Sequence, residues 1–166
     1  MPAQPRTETS RMAGLHFEQF TVGHVFRHAV TRTVTEMDNT LFSVMTLNMQ
    51  PLHLDAHFAE KTEFGQRLVN SLFTLGLVIG ISVSDTTLGT TIANLGMSDV
   101  RFPRPVFHGD TLHVHTEVMS TRASGSRPEA GIVEFEHRGY NQHDELVCVC
   151  RRSAFMKRLP PAGETA

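Results

Sequence analysis

The sequence is poor in the residues that mark several large classes of protein. It has no Trp, 2 Cys among its 166 residues, and 19% charged residues. Two thiols cannot form the disulfide framework of a small secreted domain, and the spacing of Cys148 and Cys150 favours no unstrained disulfide. We therefore expect a reducing, cytoplasmic compartment. The charged fraction lies below the roughly 25% of an average domain, so we expect part of the surface to be buried against another subunit.

The charge balance and the apolar runs exclude further classes. Lys and Arg total 15, Asp and Glu total 17, and the net charge of −2 gives no electrostatic reason to bind nucleic acid or an anionic membrane. The longest nearly apolar run, residues 72–83, is too short to span a bilayer. The first ten residues lack the apolar run of a signal peptide. The sequence contains no P-loop, G-x-S-x-G or G-x-G-x-x-G motif, so a nucleotide phosphate cradle and a nucleophile elbow find no support.

The order of secondary-structure patterns predicts an α+β fold. Residues 1–14 and 159–166 are predicted to be flexible tails around a single domain at 15–158. Alternating and β-branched segments predict strands, and strands that follow one another favour an antiparallel sheet. The predicted strands are 25–34, 90–102 (as one long or broken strand), 111–121, 131–140 and 145–157.

The predicted helices lie between the first strand and the others. Thr35 and Asp38 form a capping pattern for a short helix that ends near Leu47, and Pro51 predicts an irregular segment over 48–54. A short amphipathic helix is expected near 55–61. Residues 71–85 are apolar nearly all round and predict a long helix that other elements enclose, with Gly76, Gly80 and Ser84 as a small-residue stripe that allows close approach to a sheet or to a second copy.

The first candidate site is the loop before the long helix. Asn48, Gln50, His53 and Asp55 place two amides, an imidazole and a carboxylate around Pro51. An imidazole titrates near neutral pH, which suits it to proton transfer. A structural histidine that bonds the backbone in a turn is the competing interpretation, and the composition of the loop favours the chemical one.

Two further segments could bind a substrate. The helix that starts at Asn70 and Ser71 has unbonded N–H groups and a positive dipole end, which can polarise a carbonyl oxygen, although Ser71 could equally be a helix cap. Arg101 and Arg104 lie among prolines and could bind phosphates or carboxylates, or simply end a solvated strand.

Metal binding is a less favoured alternative. His53-x-Asp55 followed by His108 resembles the facial triad of non-haem iron oxygenases, but a long apolar helix intervenes where that chemistry expects strands. Cys148-x-Cys150 lacks a second pair at zinc spacing. We therefore predict no metal and no bound cofactor.

At these residues the chain resembles a known family. The runs LFSVMTLNMQPLHLD, EFGQRLVNSLFTLGLVIG and VRFPRPVFHGDTL are similar to those of the MaoC-like dehydratases, also called R-specific enoyl-CoA hydratases, over roughly residues 17–157. The resemblance implies a hot-dog fold, in which an antiparallel sheet wraps around a long central helix. It also implies a homodimer or larger assembly whose sheets join, and hydration of a 2-enoyl-CoA thioester or the reverse dehydration. CoA then enters as part of the substrate.

The resemblance also implies roles for individual residues. The family's loop reads Asp-x-Asn-Pro-x-His, and here His53 and Pro51 keep their positions while Asn48 and Gln50 replace the aspartate and the asparagine. The family's His-Gly at the helix start, whose glycine N–H binds the thioester oxygen, becomes Asn70-Ser71. The implied roles are base and acid for His53 and oxyanion donor for the Ser71 N–H, with the pocket lined in part by Asn70.

Asn48 is the main departure from the family, because an amide cannot transfer a proton at neutral pH. In one account His53 acts alone and Asn48 orients the water. In the other, the site binds acyl-CoA without catalysis. We favour the first account, with Gln50, Asp55, Asn70, Arg101 and Arg104 as substrate-binding candidates. The sequence also looks like the subgroup acting on mesaconyl- or itaconyl-CoA. A non-catalytic acyl-CoA-binding module and a hot-dog thioesterase are the alternatives.

Overall fold

The computed structural model describes residues 14–160, which form one sheet and four helices. A short 3-10 helix at Phe17–Gln19 precedes them. The helices are α1 (Glu36–Met45), α2 (Pro51–Leu54), α3 (Ala56–Glu60) and α4 (Ser71–Thr86). The strands are β1 (Val25–Arg27), β2 (Arg32–Thr33), β3 (Thr91–Arg101), β4 (Thr111–Ala123), β5 (Ala130–Tyr140) and β6 (Leu146–Lys157).

The sheet is antiparallel throughout. Its strand order is β1-β4-β5-β6-β3, and β2 also pairs with β4. The three strands β4, β5 and β6 follow one another in the chain and pair in that order, as the run of strand patterns predicted. The α+β class is therefore confirmed.

Helix α4 packs across the middle of this sheet and forms the core with it. It contacts β4, β5 and β6, and Val78 is fully buried against them. A Cβ added at Gly139 of β5 would lie 2.4 Å from the Val78 side chain, so the close approach of helix and sheet requires glycine there. The opposite face of α4 is not covered by other elements of the described residues, and its Gly76 and Gly80 are exposed. The prediction that other elements enclose α4 thus holds for one of its faces.

The segments before α4 differ from the predictions in two places. Helix α1 begins at the predicted capping box, in which the Asp38 N–H donates to Thr35 Oγ1 at 3.2 Å. The prediction of an irregular segment over 48–54 was wrong for its second half, since α2 starts at Pro51. Proline is tolerated in the first turn of a helix because its missing N–H has no partner there. The single strand predicted over 25–34 is two short strands, β1 and β2.

The predicted tails lie almost wholly outside the described residues. At their inner ends, the Gly14 N–H donates to the Leu88 carbonyl at 2.8 Å and the Leu159 N–H donates to Glu18 at 2.9 Å. Within residues 14–160, no helix has both the length and the apolar character needed to cross a bilayer.

A buried chain of polar side chains links β6, β5 and β4 to the end of α4 remote from Ser71. Arg152 Nε donates to His137 Nε2 at 3.2 Å, and His137 Nδ1 lies 2.9 Å from Thr116 Oγ1. Thr116 Oγ1 is 2.7 Å from His28 Nε2, whose other ring nitrogen is 2.7 Å from Asp85 Oδ1. Each of these hydrogen bonds has one donor and one acceptor if Nδ1 carries the proton in both histidine rings. Burial, with a smaller effect of Arg152, lowers the pKa of His137 to about 3.

This burial makes stability depend on pH. Between the usual histidine pKa and the lowered one, the unfolded chain binds a proton that the folded chain does not, so stability falls as the pH is lowered through that window. When the pH is lowered from 7 to 5, we expect the free energy of unfolding to decrease less in His137→Gln than in the wild type, because glutamine does not titrate. The two decreases should differ by up to about 2 kcal/mol. Urea unfolding at both pH values measures the difference. Parallel losses in the two proteins would contradict the prediction.

Candidate active site

His53 is held by a backbone carbonyl of the segment before α4 in an orientation that frees one ring nitrogen. It lies in α2, and its Nδ1 is 3.0 Å from the carbonyl oxygen of Leu68. A carbonyl can only accept a hydrogen bond, so Nδ1 carries the proton in the neutral ring and Nε2 keeps a lone pair. The half-buried ring is therefore prepared to take a proton at Nε2.

The first turn of α4 leaves one backbone N–H free between two that are bonded. The Asn70 N–H donates to Asn39 Oδ1 at 2.8 Å, and the Leu72 N–H donates to Asn70 Oδ1 at 3.1 Å. Asn70, rather than Ser71, is thus the helix cap. Between them, the Ser71 N–H has no hydrogen-bond acceptor among residues 14–160. It points from the positive end of a sixteen-residue helix and is available to an anionic oxygen.

The ring and the helix start line one cavity of about 330 Å³. The cavity has a size suited to a small acyl group, and most of its wall is apolar. Arg104 lies on the wall, together with Phe64, Leu68, Val69, Thr74, Phe102, Pro103, Pro105, Val106 and Val147. The structure thus brings together three of the site residues predicted from the sequence: His53, Ser71 and Arg104.

The two arginines differ in position. Arg104 forms an ion pair with Glu145 at 3.4 Å, in which both side chains are more than a third exposed. Such an exposed pair is weak and can be exchanged for a ligand carboxylate or phosphate. Arg101 is the last residue of β3, is exposed, and does not line the cavity.

The other loop candidates lie outside the cavity lining. Asn48 accepts a hydrogen bond at 3.3 Å from the N–H of Gln50, which is exposed at the start of α2. The Asp55 carboxylate accepts from the Phe58 N–H at 3.0 Å and caps α3. Asn70 is buried beneath the helix start, where its Nδ2 donates to Ser43 Oγ at 3.3 Å. The contacts of Asn48 and Asp55 are the turn and capping interactions that Asn and Asp commonly make, whereas that of Asn70 joins α4 to α1.

Two residues next to the site, Asn39 and His108, were not among the predicted catalytic or substrate-binding residues, and His108 was considered only as a metal ligand. Asn39 is fully buried in α1, and its Nδ2 is 2.9 Å from His108 Nε2. Burial, with a smaller effect of the Arg67 charge, lowers the pKa of His108, against an opposing effect of Glu36. The sequence did offer one signal for Asn39, because asparagine is a poor helix former and stands inside the predicted helix α1.

The three residues of the facial-triad alternative each make a separate contact and form no common site. Asp55 caps α3, His53 Nδ1 contacts Leu68, and His108 contacts Asn39. Among residues 14–160, no group of three His, Cys, Asp or Glu side chains is spaced to hold a metal ion.

Solved structures define the class of fold to which this architecture belongs. The chain aligns with a Mycobacterium tuberculosis protein described as a double hotdog fold, with a TM-score of 0.82 and 26% identity over 94% of this chain and 48% of that one. It also aligns with a monoamine oxidase regulatory protein from Archaeoglobus fulgidus, with a TM-score of 0.79 and 33% identity over 89% of this chain and 97% of that one. The hot-dog fold expected from the resemblance is confirmed.

Sequence comparison narrows the class to a family. Residues 17–141 match the family described as MaoC like domain. A mesaconyl-CoA hydratase from Cereibacter sphaeroides is 33% identical over 91% of this chain and 43% of its own length. The chain belongs to the MaoC-like domain family. It spans less than half the length of the first curated relatives that it matches.

Proposed function

We propose that the protein is an acyl-CoA hydratase or dehydratase, which adds water across the 2,3 double bond of an enoyl-CoA or removes it. The supporting observation is that His53, whose Nε2 has a lone pair to accept a proton, and Ser71, whose N–H is free, line the same cavity. Curated relatives named mesaconyl-CoA hydratase and beta-methylmalyl-CoA dehydratase, at 33% and 32% identity, support the same reaction class.

The proposed mechanism needs one titrating group. His53 Nε2 takes a proton from water while the hydroxide forms a bond to C3 of the enoyl group. The electron pair of the double bond moves to give an enolate, whose oxygen accepts a hydrogen bond from the Ser71 N–H. Collapse of the enolate returns the proton from His53 to C2, so that water is added and no group is left charged. A general acid–base group contributes roughly 10² to 10⁴-fold, and one oxyanion donor about 3 kcal/mol.

The substrate class follows from the cavity wall. An apolar pocket with Arg104 at its edge suits a short acyl chain that carries a second carboxylate, such as mesaconyl- or itaconyl-CoA. Arg101 is kept as a candidate for the CoA phosphates. Asn48 as a water-orienting group, and Gln50 and Asp55 as substrate contacts, remain predictions that would require the loop to move toward the cavity.

A substrate panel tests the proposal. Incubation with crotonyl-, mesaconyl- and itaconyl-CoA is expected to reduce the enoyl absorbance without releasing thiol. Thiol release would instead identify a thioesterase, and binding without either change would identify an acyl-CoA-binding module. We expect His53→Ala to abolish turnover and Asn48→Ala to retain part of it. Wild-type activity in His53→Ala would rule out the assignment of the base.

The role of the Ser71 N–H can be tested with a substitution that removes the N–H and keeps the helix start. Ser71 is the first residue of α4, where proline is favoured, and Asn70 before it has the extended backbone (φ −58°, ψ 124°) that proline requires of its predecessor. We expect Ser71→Pro to keep the helix but to lower kcat roughly 100-fold, because one oxyanion donor is lost.

Ser71→Ala is the matched control, since it removes the hydroxyl and keeps the N–H. It is expected to retain most of the activity of the wild type. Steady-state kinetics and thermal melts of both variants make the comparison. Equal activities in Ser71→Pro and Ser71→Ala, at similar melting temperatures, would exclude the N–H as an oxyanion donor.

We also propose that the protein is a homodimer or larger homo-oligomer. Strand β3 is at the edge of the sheet and exposes Leu95, Met97 and Val100. The open face of α4 carries Gly76 and Gly80, where an added Cβ would meet no atom within 4 Å. An open edge strand and a glycine-lined helix face are both surfaces that suit a second copy of the chain. A cytoplasmic location likewise remains a prediction, supported by two reduced, buried cysteines.

The α4 face provides the test of assembly. We expect Gly80→Arg to give a monomer by size-exclusion chromatography with light scattering, because a long charged side chain blocks close packing of that face. Gly125→Arg, at an exposed glycine in the turn between β4 and β5, is the control and should keep the assembly of the wild type. Unchanged mass for Gly80→Arg would place the interface elsewhere.

A further inference from the structure

We propose that Asn39 is a positioning residue, which fixes the distance and angle between the base His53 and the start of α4. It touches neither the cavity nor the proposed substrate, and it acts through the groups that do. This inference rests on the proposed function.

The contacts of Asn39 join the two halves of the site. Its Oδ1 accepts the Asn70 N–H at 2.8 Å, which ties it to the residue before Ser71. Its Nδ2 has two hydrogens and lies near three acceptors: the carbonyl oxygen of His53 at 3.1 Å, that of Leu68 at 3.1 Å, and His108 Nε2 at 2.9 Å. The Leu68 carbonyl also accepts from His53 Nδ1. One buried amide thus holds the backbone of the base, the acceptor that sets its tautomer, and the helix start.

The chemistry of these contacts selects asparagine. The site needs an acceptor for one N–H and donors for two carbonyls on the same short side chain, and a carboxamide supplies both. Aspartate has the same shape but would set a second oxygen against the carbonyls of His53 and Leu68. Because Asn39 is fully buried, water cannot replace the lost donors without a void or a local rearrangement.

The test compares Asn39→Asp with Thr116→Val. Thr116 is also fully buried and also contacts two other groups, His28 and His137, but at the far end of α4. We expect both variants to lower the melting temperature. Asn39→Asp should lower kcat for enoyl-CoA hydration roughly 100-fold with KM changed less than about threefold, because a displacement of about 1 Å has that effect on a reacting geometry. Thr116→Val should leave kcat near that of the wild type.

A second measurement does not depend on turnover. Nitrogen-15 shifts of the His53 ring should show the Nδ1–H tautomer in the wild type and in Thr116→Val, and a loss of that preference in Asn39→Asp. If Asn39→Asp does not fold, Asn39→Ser, which keeps one hydroxyl donor, takes its place with a smaller expected change. An unchanged tautomer, or a kcat equal to that of Thr116→Val, would overturn the inference. Absence of turnover in the wild type would defeat the proposed function alone, and the ring shifts would still decide the role of Asn39.

Discussion

The first turn of α4 is the constraint on which the rest of the site depends. A helix start leaves several N–H groups without partners, and a buried one must be bonded. Here side chains of Asn39 and Asn70 bond the N–H groups on either side of Ser71. The sheet side of the same helix is fixed by the contact between Val78 and Gly139. A rigid helix whose Ser71 N–H is free at the positive end thereby lines the cavity.

The arrangement of α1 and α2 completes the candidate site by tying His53 to the segment that leads into α4. Pro51 allows a one-turn helix where the chain would otherwise be irregular, and the turn brings His53 to the Leu68 carbonyl. Asn39, from α1, then bonds the same carbonyl. Three short segments far apart in sequence are thus locked by a few hydrogen bonds, because no extensive apolar packing is available to such small elements.

Much of the fold could be predicted from the sequence, because its signals are periodic and local. The capping box at Thr35 and Asp38 located α1, and the apolar run located α4. The break between β1 and β2 was missed, because the alternation of residues 25–34 does not show where pairing stops. The site was predicted in part: His53, Ser71 and Arg104 share the cavity, whereas Asn48, Gln50 and Asp55 make local turn and cap contacts. The role of Asn39 could be recognised only in the tertiary structure, since its partners come from three separate segments, at His53, at Leu68 and Asn70, and at His108.

The hydrogen-bond partner of His53 Nδ1 has a consequence for the direction of the proposed reaction. A carboxylate in that place would stabilise the imidazolium and retain the captured proton, whereas the Leu68 carbonyl is uncharged. The proton that the proposed mechanism places on Nε2 therefore has no carboxylate behind the ring to hold it. In the proposed reaction this one side chain takes up and delivers the proton in both hydration and dehydration, and the supply of product and reactant would determine the net flow.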